Sequence, residues 1–398
     1  METIKLGVNP MVDSKGLYYS RTHLAYRLGT VNFEQEWPAI VEDRKSRAIS
    51  TPLKDQSGAH LWFCPIESID DLIKTIDFNA KQPLSDQFID KIKVQQDAWI
   101  DESYYSSVIE GAFSTRRQAE IVIRAGLAKN KSEQMILNNY HALNFVLDHL
   151  EEPITHQNFV ILHHIVTENT LASEDITDQY RTDSVFVRDM ADNTVIHEAP
   201  DAAQVFALMT DLFDFLANSE LHPLLIGSML HFYIGYVHPF YDGNGRTARA
   251  VMYWFLIKRG YDFFRFFSIS RHINDLRGRY YQAFLDSEDG TGDITYFLLE
   301  NLMITDQSIR DTLRAAHRFV RQKEVNRWLE DKFGLLTVNQ IQFLRFLSKK
   351  EEGKAILTKR ILKRWNNDNT AMDEIEELTE MGIIQKNGEK EIVLRHQS

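Results

Sequence analysis

Residues 222–237, HPLLIGSMLHFYIGYV, carry apolar side chains nearly all the way round a helical period. A helix of that kind cannot rest on a surface with one face in water, so it has to lie at the centre of a domain, packed on every side. A second apolar run, RTARAVMYWFLIKRG over residues 246–260, follows almost at once and stops at Gly260. Between and overlapping them lies HPFYDGNGRTAR, residues 238–249, a stretch that gathers one His, one Asp, one Asn and two Arg around Gly243 and Gly245. Two central helices flanking a short polar loop hold that loop rigidly, which is what a chemical site needs and what a surface turn does not.

The rest of the pattern is mostly helical. Residues 84–111 repeat apolar positions at three- and four-residue steps and end at Gly111, a favourable C′ residue. Thr115 and Gln118 have capping-box spacing and predict a helix through TRRQAEIVIRAGLA, with further helices over 131–150, 156–170 and 202–217. SVFVRDMADNTVIHEAP, residues 184–200, breaks the pattern with two β-branched runs around Asp192-Asn193 and predicts a β-hairpin lying across the helical body. Beyond a charged bridge at 320–335, three short helices precede IIQKNGEKEIVL, a strand, an Asn-Gly turn and a strand, which resembles a winged-helix domain.

The chain is therefore expected to be mainly α, with an N-terminal helical region (1–95), a helical core with a hairpin (96–312) and a C-terminal winged-helix-like domain (320–398). A length of 398 residues accommodates that number of cores. Cys64 is the single cysteine, so an intrachain disulfide and a cysteine-built zinc site are excluded. The balance of 45 Lys+Arg against 57 Asp+Glu argues against a protein that coats nucleic acid by net charge. METIKLGVNP lacks the apolar segment of a signal peptide and no run is long enough to span a membrane, which makes a cytoplasmic location the expectation.

The loop residues have a common chemistry. Gly243 and Gly245 remove Cβ atoms where backbone has to approach a ligand, and their N–H groups can form an anion-binding nest. The next helix, starting at about Arg246, points its free N–H groups and positive dipole end at the same place. Arg246 and Arg249, three residues apart, can reach polyphosphate oxygens, Asp242 is a hard ligand suited to Mg²⁺, and His238 is the candidate general base. Singly, each of these has an ordinary structural reading; their coincidence within residues 238–249 is what points to attack on a nucleotide phosphate.

HPFYDGNGRTAR resembles the active-site motif of the Fic family, HPFx[D/E]GNGRxxR, at every defined position. The resemblance extends over roughly residues 100–310: YRTDSVFVRD resembles the start of the family's flap hairpin, SRHINDLRGRYYQAF its adenine-side helix, and GDITYFLLENL the helix that closes its core. The resemblance implies transfer of AMP from ATP, with Mg²⁺, to a protein hydroxyl. His238 would be the base, Phe240 a core anchor, and Asp242 the metal ligand. The nucleotide would be held by Gly243, Asn244, Gly245, Arg246, Thr247, Ala248 and Arg249, with Tyr280 or Tyr281 at the adenine. Val185, Phe186, Val187 and Arg188 of the flap would hold the target segment by strand addition. An adenine-side Asn that some relatives place eight residues after the first Tyr is Glu288 here.

SSVIEG, residues 106–111, places Ser106 and Glu110 on one helix face and resembles the family's [S/T]xxxE[G/N] inhibitory motif in the class with an N-terminal inhibitory helix. The implied device is electrostatic: Glu110 pairs with Arg249 and denies it to the γ-phosphate. In some relatives the same Glu supports removal of AMP, so that second role stays open. The implied partners are ATP and a protein target with an exposed hydroxyl, the chain itself included, and the family also implies self-association. Two alternatives remain: a DNA-binding regulator with a Fic-like core, and a transferase using another phosphate donor. Against the first, TAMDEIEELTEM (370–381), at the recognition-helix position, holds five acids and no Lys or Arg.

Overall fold

The computed structural model describes residues 18–28, 33–80, 91–188, 194–332, 334–362, 368–388 and 390–395. In chain order the N-terminal elements are α1 (Arg21–Leu28), α2 (Phe33–Lys45), β1 (Ile49–Lys54), β2 (His60–Phe63) and α3 (Glu67–Ala80). The middle of the chain follows as α4 (Lys91–Ile109), α5 (Arg116–Ala125), α6 (Lys131–Asp148), α7 (His156–Thr167), β3 (Phe186–Arg188), β4 (Val195–Glu198) and α8 (Ala202–Asn218). Next come α9 (Pro223–Val237), α10 (Asn244–Lys258), α11 (Ile269–Asp275), α12 (Arg277–Ser287) and the long α13 (Thr295–Asp331). The C-terminal elements are α14 (Val338–Ser348), β5 (Lys354–Ile356), α15 (Lys359–Leu362), α16 (Asp368–Glu380), β6 (Ile384–Asn387) and β7 (Glu391–Leu394). The fold is mainly α, as the periodicity predicts. Among the described residues no helix is long and apolar enough to cross a membrane.

Contacts divide the chain into two units, residues 1–81 with 95–309, and 82–94 with 310–398. In the first unit α9 and α10 pack against each other, and both are buried along almost their whole length. Pro223 sits in the first turn of α9, where its missing N–H is no loss, and the His222 ring accepts the Leu224 N–H. Around this pair pack α6, α7 and α8.

The N-terminal region is not purely helical, contrary to expectation. β1 and β2 form an antiparallel hairpin, with Ile49 opposite Phe63. Its turn is made by Asp55, whose Oδ1 accepts the N–H groups of Ser57 (2.8 Å) and Ala59 (3.0 Å), and by Gly58 at φ +85°. The hairpin docks on the central helix, where the Tyr233 hydroxyl donates to the Lys54 carbonyl at 2.7 Å. It belongs to the same unit as the core.

Thr115 caps α5 by accepting the Gln118 N–H at 3.2 Å, but the Gln118 side chain does not close the box; it turns to Glu133, 3.0 Å away. Helix α10 starts at Asn244, two residues before the expected Arg246, because Gly243 at φ +83° supplies the turn and its carbonyl accepts the Thr247 N–H. The hairpin predicted over 184–200 is present as β3 and β4, with Val187 opposite His197; its expected turn at Asp192-Asn193 lies outside the described residues.

The second unit has its own core, built from Phe343, Leu344, Leu347, Ile375, Leu378, Ile384 and Ile392. Within the charged stretch at 320–335, α13 runs through to Asp331, and its Val325 and Leu329 are part of that core. The sheet order is β5-β7-β6, one strand more than the predicted wing. Several acids of α16 are used internally: the Thr337 hydroxyl donates to Glu374 (3.0 Å) and the Gln340 amide to Glu377 (2.8 Å).

Candidate active site

The loop at 238–243 is shaped by its own backbone chemistry. His238 ends α9 in the left-handed region (φ 49°, ψ 58°), its N–H donating back to the Ile234 carbonyl. A non-glycine residue there is strained, and strain of this kind persists only where surrounding contacts enforce it. Arg181 is that enforcement. Buried just ahead of β3, it donates to the carbonyls of His238 (2.8 Å), Val237 (3.3 Å), Asp183 (2.7 Å) and Pro200. One guanidinium thus ties both roots of the hairpin to the end of α9.

Below the loop, Phe240 is buried and stacks on His163, with centroids 3.5 Å apart at 7°. The His163 Nε2 donates to the Asp242 carbonyl at 2.8 Å, so α7 supports the loop from beneath. Asn244 closes the loop on itself: its amide donates to the Phe240 carbonyl (2.8 Å) and accepts the Phe240 N–H (2.9 Å). That side chain, expected to cradle phosphates, clasps the Phe240 backbone at two points.

The cleft above the loop is lined by Glu110, Gly245, Ala248, Arg249 and His238, with Val187, His197, Tyr280, Phe284 and Glu288. Arg246 and Arg249, expected to act together, diverge. The Arg246 guanidinium is buried and reaches the Val166 carbonyl (3.1 Å) and Asp242 Oδ1 (3.3 Å), whereas Arg249 borders the cleft. Thr247 is buried, with its hydroxyl lacking a partner, and does not line the cleft. Gly245 has no room for a side chain, since a Cβ there would collide with the Glu110 carboxylate and lie 3.2 Å from Arg249 Nη1.

Arg249 is held by the two residues of the SSVIEG segment. Its Nε donates to Ser106 Oγ (2.8 Å), and its Nη2 to the Ser106 carbonyl (3.0 Å) and to Glu110 Oε1 (2.9 Å). Burial, the largest single influence, works against the Arg249 charge, but Glu110, Tyr280 and Glu102 together outweigh it and raise its affinity for the proton. Helix α4 is anchored one turn earlier by Glu102. That buried carboxylate accepts the hydroxyls of Tyr253 (3.0 Å), Ser268 (2.8 Å) and Ser270, and the Ser270 N–H (3.0 Å).

His238 is enclosed, and burial pushes its pKa down to about 4, so its imidazole is neutral at neutral pH. Nδ1 lies 3.2 Å from the Gly235 carbonyl, which assigns the ring proton to Nδ1 and leaves Nε2 as the basic nitrogen. Tyr280 is buried at the cleft wall, its hydroxyl 2.9 Å from His231 Nε2. In the hairpin, Val187 lines the cleft, Phe186 is half exposed, Val185 accepts the Ala199 N–H (3.2 Å), and Arg188 closes the described part of the strand.

Asp242 supplies one carboxylate, whose Oδ1 takes the Gly243 N–H and Arg246, while its side chain stays 43% exposed. Among the described residues no three acids, histidines or cysteines come together as a metal cage. This donor set fits an ion such as Mg²⁺ that takes one carboxylate and completes its shell with phosphate oxygens and water.

Sequence reasoning missed Arg181, His163, Glu102 and His197. Arg181 stands in the quoted YRTDSVFVRD and His197 in the second strand, but nothing in their spacing reveals carbonyls contributed by distant segments.

Residues 153–256 match the Fic/DOC family. The protein adenylyltransferase Fic of Nematostella vectensis is 29% identical over 176 residues, covering 42% of this chain and 39% of that protein. That of Aedes aegypti is 24% identical over 191 residues, covering 46% and 37%. The chain thus spans under two-fifths of the length of these curated relatives. Among solved structures, a Fic family protein from Desulfovibrio desulfuricans shares the fold with a TM-score of 0.56 at 20% identity, over 83% of this chain and 97% of that one. A Fic-domain signaling protein from Bacteroides thetaiotaomicron does so with a TM-score of 0.50 at 20% identity, over 63% and 97%. The matched stretch, with the loop of residues 238–243 set between α9 and α10, is thus similar to the Fic/DOC family.

Proposed function

We propose that this chain transfers AMP from ATP to a hydroxyl of a protein, and that Glu110 restrains the reaction. The observation that carries the reading is the convergence of a neutral His238, the open backbone of Gly245 and a buried Arg249 on one cleft. The target's Ser, Thr or Tyr oxygen attacks the α-phosphorus, its proton passes to His238 Nε2, and the bond from that phosphorus to the β-phosphate oxygen breaks with release of pyrophosphate. Amide groups at Gly243 and Gly245 and the start of α10 offer donors to the phosphates, and Arg249 offers a guanidinium to the outer one. Mg²⁺ bound at Asp242 would offset phosphate charge. The edge of β3 away from β4, which has no strand partner among the described residues, gives a target segment a strand to extend.

In the observed arrangement Glu110 occupies the space over Gly245 and the charge of Arg249. A triphosphate entering there meets a carboxylate where it needs a cation, and its α-phosphorus is displaced from the line of attack. The second unit we read as a winged-helix-like docking module for protein, since the exposed Asp373 and Glu380 of α16 leave a negative face where DNA would need a positive one.

The test is incubation of the Glu110→Gly protein with α-labelled ATP, alone and with lysate, beside wild type and His238→Ala. Labelled bands that strengthen in Glu110→Gly and vanish in His238→Ala support the reading. Equal labelling of all three variants, or none, sinks it.

A further inference from the structure

A row of buried polar side chains that the transfer chemistry leaves unused ends at the cleft. His231 stands on α9 two turns before His238, on the same face, and lines the cleft together with Arg249 and Tyr280. Phe284 and Phe297 meet its ring edge-on. Two polar partners reach it there. The Tyr280 hydroxyl of α12 lies 2.9 Å from Nε2, and Asn301 Nδ2 of α13 lies 3.1 Å from Nδ1. Asn301 Oδ1 is in turn 3.0 Å from Ser228 Oγ, back on α9. At the other end Tyr280 faces Arg249: burial raises the Tyr280 pKa, and the charge and hydrogen bond of Arg249 oppose that rise. The row Arg249–Tyr280–His231–Asn301–Ser228 thus joins α10, α12, α9 and α13, and every member is buried.

This row has a polarity. Burial drives the His231 pKa down to about 3, so the ring is neutral and carries one proton. Asn301 Nδ2 can only donate, which makes Nδ1 an acceptor and puts the ring proton on Nε2, facing Tyr280. The Tyr280 oxygen therefore accepts from His231 on one side and has a second lone pair for the Arg249 guanidinium on the other. Other N–H groups of Arg249 donate to Ser106 and Glu110. Glu110 is the acceptor that the active state gives up; Ser106 and Tyr280 are the ones that stay. A guanidinium short of anchors samples several rotamers, and fixing one of them costs entropy when a ligand binds. A phenol oxygen held from behind by a neutral imidazole removes that cost beforehand. Apolar side chains would fill the same space with no polar partner to satisfy, yet this row is polar throughout and ends on the guanidinium that borders the cleft.

We propose that His231, held by Asn301, is a positioning residue for nucleotide binding: through Tyr280 it keeps the Arg249 guanidinium aimed at the outer phosphates once Glu110 is withdrawn. The inference rests on the nucleotide-transfer reading above and deepens it.

The experiment is calorimetric binding of ATP and of AMP, which lacks the outer phosphates. The proteins are the full-length Glu110→Gly chain and the same chain carrying His231→Asn, His231→Gln or Tyr280→Phe. The Gln amide, one bond further out than that of Asn, reaches the place of Nε2 and can donate to Tyr280; the Asn amide reaches only that of Nδ1. Tyr280→Phe removes one oxygen and keeps the ring that packs on Phe284 and Phe297, so it decides the matter even where a change at His231 unfolds the chain. His231→Asn and Tyr280→Phe are expected to lower the ratio of ATP to AMP affinity roughly tenfold, as for a lost hydrogen bond to a charged group, with AMP affinity within about twofold of the parent. His231→Gln is expected to recover the parent's ratio to within about threefold. If ATP and AMP affinities fall in step, the row supports the fold or the base rather than Arg249, and the proposal is overturned. A ratio unchanged in Tyr280→Phe, or a Gln variant no better than the Asn one, overturns it as well while nucleotide transfer stands. If the parent binds neither nucleotide, the transfer reading falls with it.

Discussion

Glu110 Oε1 lies 2.9 Å from Arg249 Nη2 and directly over the place a Cβ at residue 245 would take. One carboxylate therefore neutralises the cleft's guanidinium and fills the space above its open backbone. The Arg249 side chain is 2% exposed and that of Glu110 28%, so water screens the pair only in part. A hydrogen-bonded charge pair of this kind contributes about 1.5–3 kcal/mol, which corresponds to a rate factor of roughly 10 to 100. Glu110→Gly is expected to raise self-labelling from α-labelled ATP by that factor, read from initial rates on gels.

The same geometry couples Glu110 to Gly245. Gly245→Ala forces the flexible Glu110 side chain off Arg249, because the backbone of α10 cannot move as easily. In wild type the substitution should lower unfolding free energy by about 1–3 kcal/mol. In a Glu110→Gly background it should be neutral or mildly stabilising, since Ala is the better helix former by up to ~1 kcal/mol. Urea denaturation of the four proteins measures the coupling; strictly additive effects would show that the two residues do not compete for space.

Arg181 satisfies four carbonyls around the strained His238. Arg181→Ala leaves buried acceptors without partners and should cost about 3 kcal/mol or more in stability. Arg181→Lys keeps the charge but not the fork, and holds fewer of those carbonyls. In the Glu110→Gly background, Arg181→Lys should lower kcat while the KM for ATP changes little, because the backbone at Gly245, proposed to bind phosphate, is not among its contacts.

Histidine burial sets two opposite pH responses. His238 and His163 are pushed down to about 4, and His231 to about 3, all by burial, so the unfolded chain takes up protons near 6.5 that the fold refuses. Stability from these groups is present above about 6.5 and falls as pH drops toward about 4. His197, raised above 6.5, works the other way: its pairing with Glu288 is fully present below that value and is lost as pH rises through the folded pKa. Melting temperature against pH from 4.5 to 9 should fall on the acid side in every variant, while Glu288→Gln removes the decline on the alkaline side. Transfer by Glu110→Gly should show no acid limb at 6.5 from His238.

Much of this was legible because it is local. The apolar runs over 222–237 and 246–260 specify buried helices through a 3.6-residue period, and the pairing of Ser106 with Glu110 follows from a step of four on one helix. The β1–β2 hairpin was legible in principle, since β-branched and aromatic residues flank a Gln-Ser-Gly turn, yet strands of six and four residues give little signal beside long helices. The divergence of Arg246 from Arg249 was not legible, because it depends on where the Val166 carbonyl and Asp242 stand after α7 has packed on α10.

The amino-acid sequence alone determined that residues 238–249 would be a rigid polar loop between central helices, and which residue types it would carry. Tertiary structure alone decided which of them face the cleft: Arg249 stays on its wall, Arg246 and Asn244 are spent holding the loop, and His197 and Glu288 meet from segments far apart in the chain. The physical reason is reach. Helical period and turn chemistry act over a few residues, whereas the partner of a buried charge or amide is whatever group packing brings within about 3 Å.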